Sequence, residues 1–360
     1  MKHQYIERYT NRVWTEKLFA DPWVRLIYSK AEENPGLLLR MLTSGWFSRA
    51  LASLLYDSRL GSPFNRNRHF FDSTHVDLTE CADEPGRWKT AREVFERKIR
   101  YWECRPMCRE PSAVVSPADA RILVGSLLCR SSIFIKGKFF ELDELLGRKK
   151  KFVHAFRDGD FAVLRLTPEK YHYNHTPVAG EVVDIYEVQG MYHSCNPGAI
   201  VGMAASLSKN RRVVTIIDTD VYRGSRVGLV AMIEIVALMI GDVVQCYSTR
   251  RYDSPAPVGK GMFLEKGVPK SRYRPGSSTD VLLFERERID FARDILFNMH
   301  RPGIESRYSE GFGRPLVETD IRVRSLIASG KNASAANVSC LDEGEKERWK
   351  MSCSSCFWLS

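Results

Sequence analysis

Three short segments carry residue types able to do nucleophilic and acid–base chemistry. The run Val-Ser-Pro-Ala-Asp119-Ala120 sets a carboxylate in a turn after a strand. The run Tyr171-His172-Tyr173-Asn174-His175-Thr176-Pro177 holds two of the chain's eight histidines, three apart. Histidine titrates near neutrality, so two in one loop can supply a base and an acid. The third, Gly276-Ser277-Ser278-Thr279, leads straight into the apolar run Val281-Leu282-Leu283-Phe284. Glycine permits backbone conformations that other residues resist, and a serine hydroxyl beside such a peptide can attack the carbonyl before it. Taken singly, each segment has a plain reading: a turn-capping Asp, two hydrogen-bonded loop histidines, a polar turn before a strand. Together they supply an orienter, a base and a nucleophile, in the chain order Asp119, His175, Ser277 or Ser278.

No metal is expected. The histidine pair has no third ligand nearby. The close cysteine pairs Cys104/Cys108 and Cys353/Cys356 lack the second pair or the histidines of a zinc site.

The elements that must position these groups divide the chain in three. Residues 1–87 form an N-terminal region read as helical over 12–60, with a polar loop after it. Within it, Leu37 to Tyr56 sets Leu, Met, Trp and Phe beside Arg40 and Arg49. Such a helix lies in a membrane interface or packs on its own core. Residues 88–330 begin with a helix over Trp88–Tyr101. From Ala113 onward short Val, Ile and Phe runs alternate with Gly, Pro and Asp, a β-rich pattern. A short helix is predicted at Leu142–Leu146, a longer one at Ile289–Met299, and a last strand at Thr319–Ile327. The apolar run Val227–Val244 approaches spanning length, but Glu234 and Asp242 interrupt it and β-branched residues fill it. It reads as buried strands. Residues 331–360 are a polar, Ser-rich tail, expected to be poorly ordered.

Composition narrows the setting. Fifty-four Lys and Arg against 44 Asp and Glu leave a formal charge of +10. That excess suits an anionic partner, nucleic acid or an acidic lipid surface, and does not choose between them. Nine cysteines, an odd and scattered set, read by default as free thiols in a reducing compartment. The opening MKHQYIERYTNRVW has no uninterrupted apolar core and is not read as a secretory signal.

The three segments resemble the phosphatidylserine decarboxylase family. There an Asp sits in V-S-P-A-D-G, a histidine pair in Y-H-x-x-H-x-P-x-x-G, and G-S-T or G-S-S precedes an apolar strand ending in Phe. This chain has VSPADA, YHYNHTPVAG and GSSTDVLLFE in that order and at compatible spacing. Ile135-Lys136-Gly137 followed by ELDELLG, the step Cys195-Asn196-Pro197, and VFERKIRYWECRP are similar to further family segments. The resemblance covers residues 90 to 330.

It implies an α+β fold with a β-rich, barrel-sandwich-like core and N-terminal helices. It implies a proenzyme that cuts itself before the motif serine. The hydroxyl attacks the preceding carbonyl to give an ester, and β-elimination releases a new C-terminus. The serine ends as an N-terminal pyruvoyl group, the enzyme's covalent, self-made cofactor. By this analogy His175 is the base and Asp119 orients and charge-stabilises it. His172 helps place the substrate carboxylate or returns a proton. The pyruvoyl carbonyl forms a Schiff base with phosphatidylserine, carbon dioxide leaves, and phosphatidylethanolamine results. The implied partners are phosphatidylserine in an anionic membrane, the chain's own cleaved large and small chains, and further copies in a homo-oligomer, with no nucleic acid. The implied location is peripheral, on the cytoplasmic face of a bacterial inner membrane.

Two departures stand out. Ala120 replaces the family's Gly, and the cleavage motif is one residue longer. Counted from Lys266-Gly267, Ser277 is the reactive serine and keeps Gly276 before it. Counted back from Phe284, it is Ser278, which keeps the Ser-Thr step. Gly276 offers the least hindered carbonyl, so cleavage is expected between Gly276 and Ser277. Other readings are a family relative acting on a free amino acid, a Ser-His-Asp hydrolase, and a basic nucleic-acid-binding β domain. The hydrolase lacks a G-x-S-x-G elbow around Ser277. The nucleic-acid reading rests only on stretches such as Arg250-Arg251-Tyr252.

Overall fold

The computed structural model describes residues 2–18, 43–44, 56–57, 77–83, 88–128, 139–203, 205–237, 242–276 and 278–331. Ser277, the Ile135-Lys136-Gly137 step, the tail from residue 332 and nearly all of the Leu37–Tyr56 segment lie outside the described residues.

The described strands are β1 (Gln4–Glu7), β2 (Val13–Thr15), β3 (Ala113–Val115), β4 (Ala120–Ser126), β5 (Asp160–Leu166), β6 (Tyr173–His175), β7 (Gly180–Val188) and β8 (Arg212–Asp218). They continue with β9 (Leu229–Val236), β10 (Val243–Gln245), β11 (Phe263–Leu264), β12 (Pro269–Tyr273), β13 (Ser278–Phe284), β14 (Ile289–Phe291), β15 (Glu318–Ile321) and β16 (Leu326–Gly330). Ten of them form one sheet in the order β11-β7-β8-β9-β13-β5-β4-β15-β1-β2. Two three-stranded sheets, β10-β12-β6 and β14-β16-β3, accompany it. Pairing is antiparallel except between β1 and β15. The α+β expectation holds in a sandwich-like form. The barrel part does not, because among the described residues the large sheet is open and ends at β11 and β2.

Strand β13 sits between β9 and β5 and is buried at every one of its seven positions. A strand covered on both faces reads as a continuous apolar run rather than an alternating one, which is why DVLLF carries no period of two. The Val227–Val244 run resolves the same way, into β9 and β10. Among the described residues no helix is long and apolar enough to cross a membrane.

Several boundaries differ from expectation. Val13–Thr15, expected to be helical, pairs with β1 as an edge hairpin. Trp88–Tyr101 holds only α1 (Ala91–Phe95), opened by a capping box of Thr90 and Glu93. Ile99 then bridges to Cys81, and α2 (Tyr101–Cys104) begins separately. The expected Ile289–Met299 helix starts as strand β14 and becomes α7 (Arg293–Met299) only afterwards; between α2 and α7 lie α3 (Leu142–Leu145), α4 (Lys150–Phe156), α5 (Pro197–Gly202) and α6 (Ser206–Lys209), with α8 (Arg307–Phe312) following. The single strand expected at Thr319–Ile327 is two, β15 and β16, with Arg324 between them at φ +71°. In each case pairing with another strand overrode local propensity. Cys108 is disulfide-bonded, which corrects the free-thiol reading there, while Cys81, Cys104, Cys195 and Cys246 are free.

The N-terminal strand is fastened by buried ions. Arg165 on β5 bonds Glu318 on β15 at 3.0 Å and Glu16 after β2 at 2.9 Å, and His3 meets Glu318 at 2.9 Å. His3, Glu16 and Glu318 converge closely enough to suggest a cation site. The Arg165 guanidinium already fills it, with Arg121 paired to Glu16 beside it.

Candidate active site

Strand β6 is bonded on one side to the turn bearing Asp119 and on the other to the strand that leads into Gly276. On one side the His175 N–H donates to the Pro117 carbonyl at 2.7 Å, and the Val115 N–H donates to the Pro177 carbonyl at 2.9 Å. The turn bearing Asp119 is thereby stitched to the histidine segment. On the other side β6 pairs with β12, with His175 opposite Pro269. The Tyr273 N–H then donates to the His172 carbonyl at 2.9 Å. Strand β12 ends at Tyr273, Gly276 follows at φ +152°, and β13 begins at Ser278. That φ favours glycine over residues with a Cβ, as the sequence argument required.

His175 is fully buried. Its Nδ1 lies 3.0 Å from the Gly267 carbonyl and its Nε2 3.0 Å from the Tyr171 hydroxyl. Gly267 holds φ +74°, and a Cβ there would collide with the Met107 sulfur, so only glycine presents this carbonyl to the ring. Burial pushes the His175 pKa down to about 3, against the pull of the Gly267 carbonyl.

His172 is also fully buried and lies under the Phe95 ring, with centroids 3.6 Å apart. Its Nδ1 is 2.8 Å from the Lys170 carbonyl, an acceptor, so that nitrogen carries the hydrogen. Its Nε2 lone pair has no partner among the described residues. Burial, with the Arg97 charge, lowers its pKa to about 3, so the ring is neutral near pH 7. The Ser278 hydroxyl is likewise buried and without a partner among the described residues. Ser277 lies outside them.

Asp119 does not hydrogen-bond His175. The Arg105 guanidinium grips its carboxylate at 3.0 and 2.7 Å, and the Val323 N–H donates to it at 2.7 Å. These partners outweigh burial and hold the carboxyl well below the usual carboxylate range. Its negative charge still acts on the His175 ring through space. Arg105 also bonds Glu80, both contacts at 2.8 Å.

Behind β6 a buried polar cluster supports the turn. Glu234 on β9 and Lys270 on β12 form a fully buried ion pair at 2.7 Å. Asn174, between the two histidines, donates to Glu234 at 3.2 Å, as does Gln245, and the Ser271 hydroxyl also bonds it. Asp280 lies opposite Glu234 in the β13–β9 ladder. Burial beside that second carboxylate raises the Asp280 pKa well above its ordinary value. The Tyr273 hydroxyl bonds Asp280 at 2.7 Å and the Thr279 carbonyl at 3.2 Å.

Sequence reasoning did not single out Arg105, Tyr171, Tyr252, Lys270 or Asp280. A usable signal existed for Glu234: a carboxylate inside an apolar strand run requires a buried partner. Arg105 lies in the family-like segment VFERKIRYWECRP but was given no role there, and no comparable signal marked Tyr252, which joins the site from an element far away in the chain.

A sequence profile of the family described as phosphatidylserine decarboxylase matches residues 91–307. A phosphatidylserine decarboxylase proenzyme of Fusobacterium nucleatum is 28% identical over 314 residues, 86% of this chain and 96% of the relative. One of Chlamydia trachomatis is 27% identical over 308 residues, covering 85% and 95%. One of Vibrio parahaemolyticus is 30% identical over 236 residues, covering 62% and 80%.

Proposed function

Since this chain belongs to the phosphatidylserine decarboxylase family, we propose that it is a self-processing proenzyme whose mature form decarboxylates phosphatidylserine to phosphatidylethanolamine. The observation that carries this reading is that the histidine segment is bonded both to the Asp119 turn and to β12, the strand that leads into Gly276.

In self-cleavage, the serine hydroxyl attacks the carbonyl carbon of the residue before it, and the peptide C–N bond breaks as the ester C–O bond forms. Elimination then removes the serine Cα proton and breaks the Cβ–O bond, leaving the upstream chain with a carboxylate and the downstream chain with a dehydroalanine, whose imine form takes up water and loses ammonia to give the ketone. His175 takes the serine proton, and Asp119 supplies the negative charge that favours the protonated ring. Gly276 gives the turn its backbone freedom. The unpartnered Ser278 hydroxyl keeps that residue a candidate beside Ser277.

The fit of the pyruvoyl group rests on the chemistry around it. When formed at the head of β13, it supplies an electrophilic carbonyl that captures the substrate amine and draws electrons from the carbon losing carbon dioxide. The free Nε2 of His172 suits proton return to that carbon. Phe95 and the burial of both histidines exclude water from the site.

The substrate reading includes peripheral attachment to the cytoplasmic face of a bacterial inner membrane, supported by the net charge of +10. Intact mass spectrometry of the purified protein tests the first claim: two chains are expected, the smaller bearing a ketone at its N-terminus. Carbon dioxide release from phosphatidylserine vesicles, compared with free serine and tryptophan, tests the second. A single unbroken chain, or release only from a free amino acid, overturns the corresponding claim.

A further inference from the structure

The hydrogen bonding of His175 continues out of the site through two tyrosines. Four contacts run in line. The Gly267 carbonyl meets His175 Nδ1 at 3.0 Å, and His175 Nε2 meets the Tyr171 hydroxyl at 3.0 Å. The Tyr171 hydroxyl meets that of Tyr252 at 2.7 Å, and Tyr252 reaches the Ile99 carbonyl at 2.8 Å. Both ends are peptide carbonyls, which only accept. Four contacts need four hydrogens. A neutral imidazole and two phenols bring three, and an imidazolium brings the fourth. With His175 neutral, one contact sets two oxygen or nitrogen lone pairs face to face. The Ile99 N–H, 3.2 Å from the Tyr252 oxygen, relieves that oxygen, and the Tyr101 N–H, at 2.8 Å, serves the Ile99 carbonyl, so the outer end of the line bears the missing hydrogen at least cost.

Other groups oppose or aid a proton on His175. Burial and the Arg324 and Arg105 guanidinium groups disfavour it, while the Asp119 charge favours it. The Tyr101 ring stands edge-on to the imidazole at 4.7 Å. His175 and Tyr171 are closed off from solvent, whereas Tyr252 is only half-buried and carries the Lys98 ammonium 5.4 Å from its ring. The line therefore runs from a buried base to a residue that is partly exposed.

We propose that Tyr171 and Tyr252 form a relay that moves the His175 proton between the buried site and solvent. The proposal rests on the reading of His175 as the base of self-cleavage. Outward, the Nε2 hydrogen passes to the Tyr171 oxygen, the Tyr171 hydrogen passes to the Tyr252 oxygen, and the Tyr252 hydrogen leaves to water. The ring ends neutral, each phenol again holds one hydrogen, and water has gained the proton. Tyr171 and Tyr252 act through His175 and are positioning residues.

The test has two arms. In the first, the uncleavable precursor Ser277→Ala/Ser278→Ala is labelled with ¹⁵N-histidine, and exchange of the His175 ring hydrogens with water is followed by NMR. Tyr171→Phe and Tyr252→Phe, each made in that background, should slow the exchange severalfold in protein that circular dichroism shows to be folded, although the partner each leaves unmet lowers the unfolding midpoint. In the second, the cleavable chain carrying either substitution should mature about 100-fold more slowly, the low end of what a positioned proton transfer contributes, with an altered pH profile. Two variants guard against one failing to fold. Unchanged exchange in the folded variants overturns the relay. A parent chain that never cuts itself strikes the functional reading instead, and the exchange arm still decides the relay.

Discussion

The Tyr273 hydroxyl lies 2.7 Å from a carboxyl oxygen of Asp280 and 3.2 Å from the Thr279 carbonyl, so it ties the end of β12 to β13 across Gly276. Tyr273 is upstream of the proposed cut and Asp280 downstream. After cleavage the same contact joins two chains. Strand β13 strengthens the join, since it is paired along its length with both β5 and β9.

The two products are therefore expected to remain one particle. They should co-elute in gel filtration under native conditions and separate only in denaturant. Loss of the small chain on a native column would show that the β13 ladders do not hold it.

Tyr273→Phe leaves the buried Asp280 carboxyl without its donor. The unmet group should cost about 1–3 kcal/mol, read as a lower urea midpoint. Self-cleavage should slow as well, because the lost hydroxyl ties the end of β12 to Thr279 and Asp280 across Gly276. A midpoint equal to the parent's would mean that Asp280 finds another partner.

Single serine substitutions decide the cleavage site. Ser277→Ala should leave one uncut chain if the cut follows Gly276. Cutting that persists in Ser277→Ala and stops in Ser278→Ala moves the assignment by one residue, to the hydroxyl that is buried and unpartnered among the described residues.

Asp119→Ala should stop maturation or slow it severely, and should also destabilise the fold. Removing one partner of a buried pair costs about 3–5 kcal/mol, here at the lower end because Arg105 retains Glu80. Adding Arg105→Met should recover stability without recovering maturation. Recovery of both would mean that Asp119 acts only by holding the fold.

His172 sets a pH dependence. Its folded pKa is lowered to about 3, below the ordinary histidine value, so the unfolded chain binds its proton first. The stabilisation is present at neutral pH and is lost as pH falls from about 6.5 toward the folded value, at about 1.4 kcal/mol per unit. His172→Gln should therefore reduce the stability lost between pH 6.5 and pH 5 by about 2 kcal/mol, measured by urea unfolding. An unaltered slope would show that the ring accepts a proton while folded.

The candidate reactive groups of this protein were legible in its residues because such groups come in short, locally ordered motifs. Asp119, His172, His175 and the Gly276-Ser277-Ser278 turn were all visible before any fold was known. So was the β-rich character of the chain after Ala113, since strand propensity and turn residues act over a few positions. Partner choice was not legible. Asp119 is gripped by Arg105 rather than His175, and His175 by Gly267 and Tyr171. The edge hairpin at Val13–Thr15 arises from pairing with the nearby β1, whereas the open ten-stranded order and the Lys270–Glu234 pair arise between segments far apart in the chain. Such pairings depend on which distant groups the folded backbone brings within about 3 Å, and on the loss of water that forces each buried charge to find a counterpart. Both conditions exist only once the chain has folded.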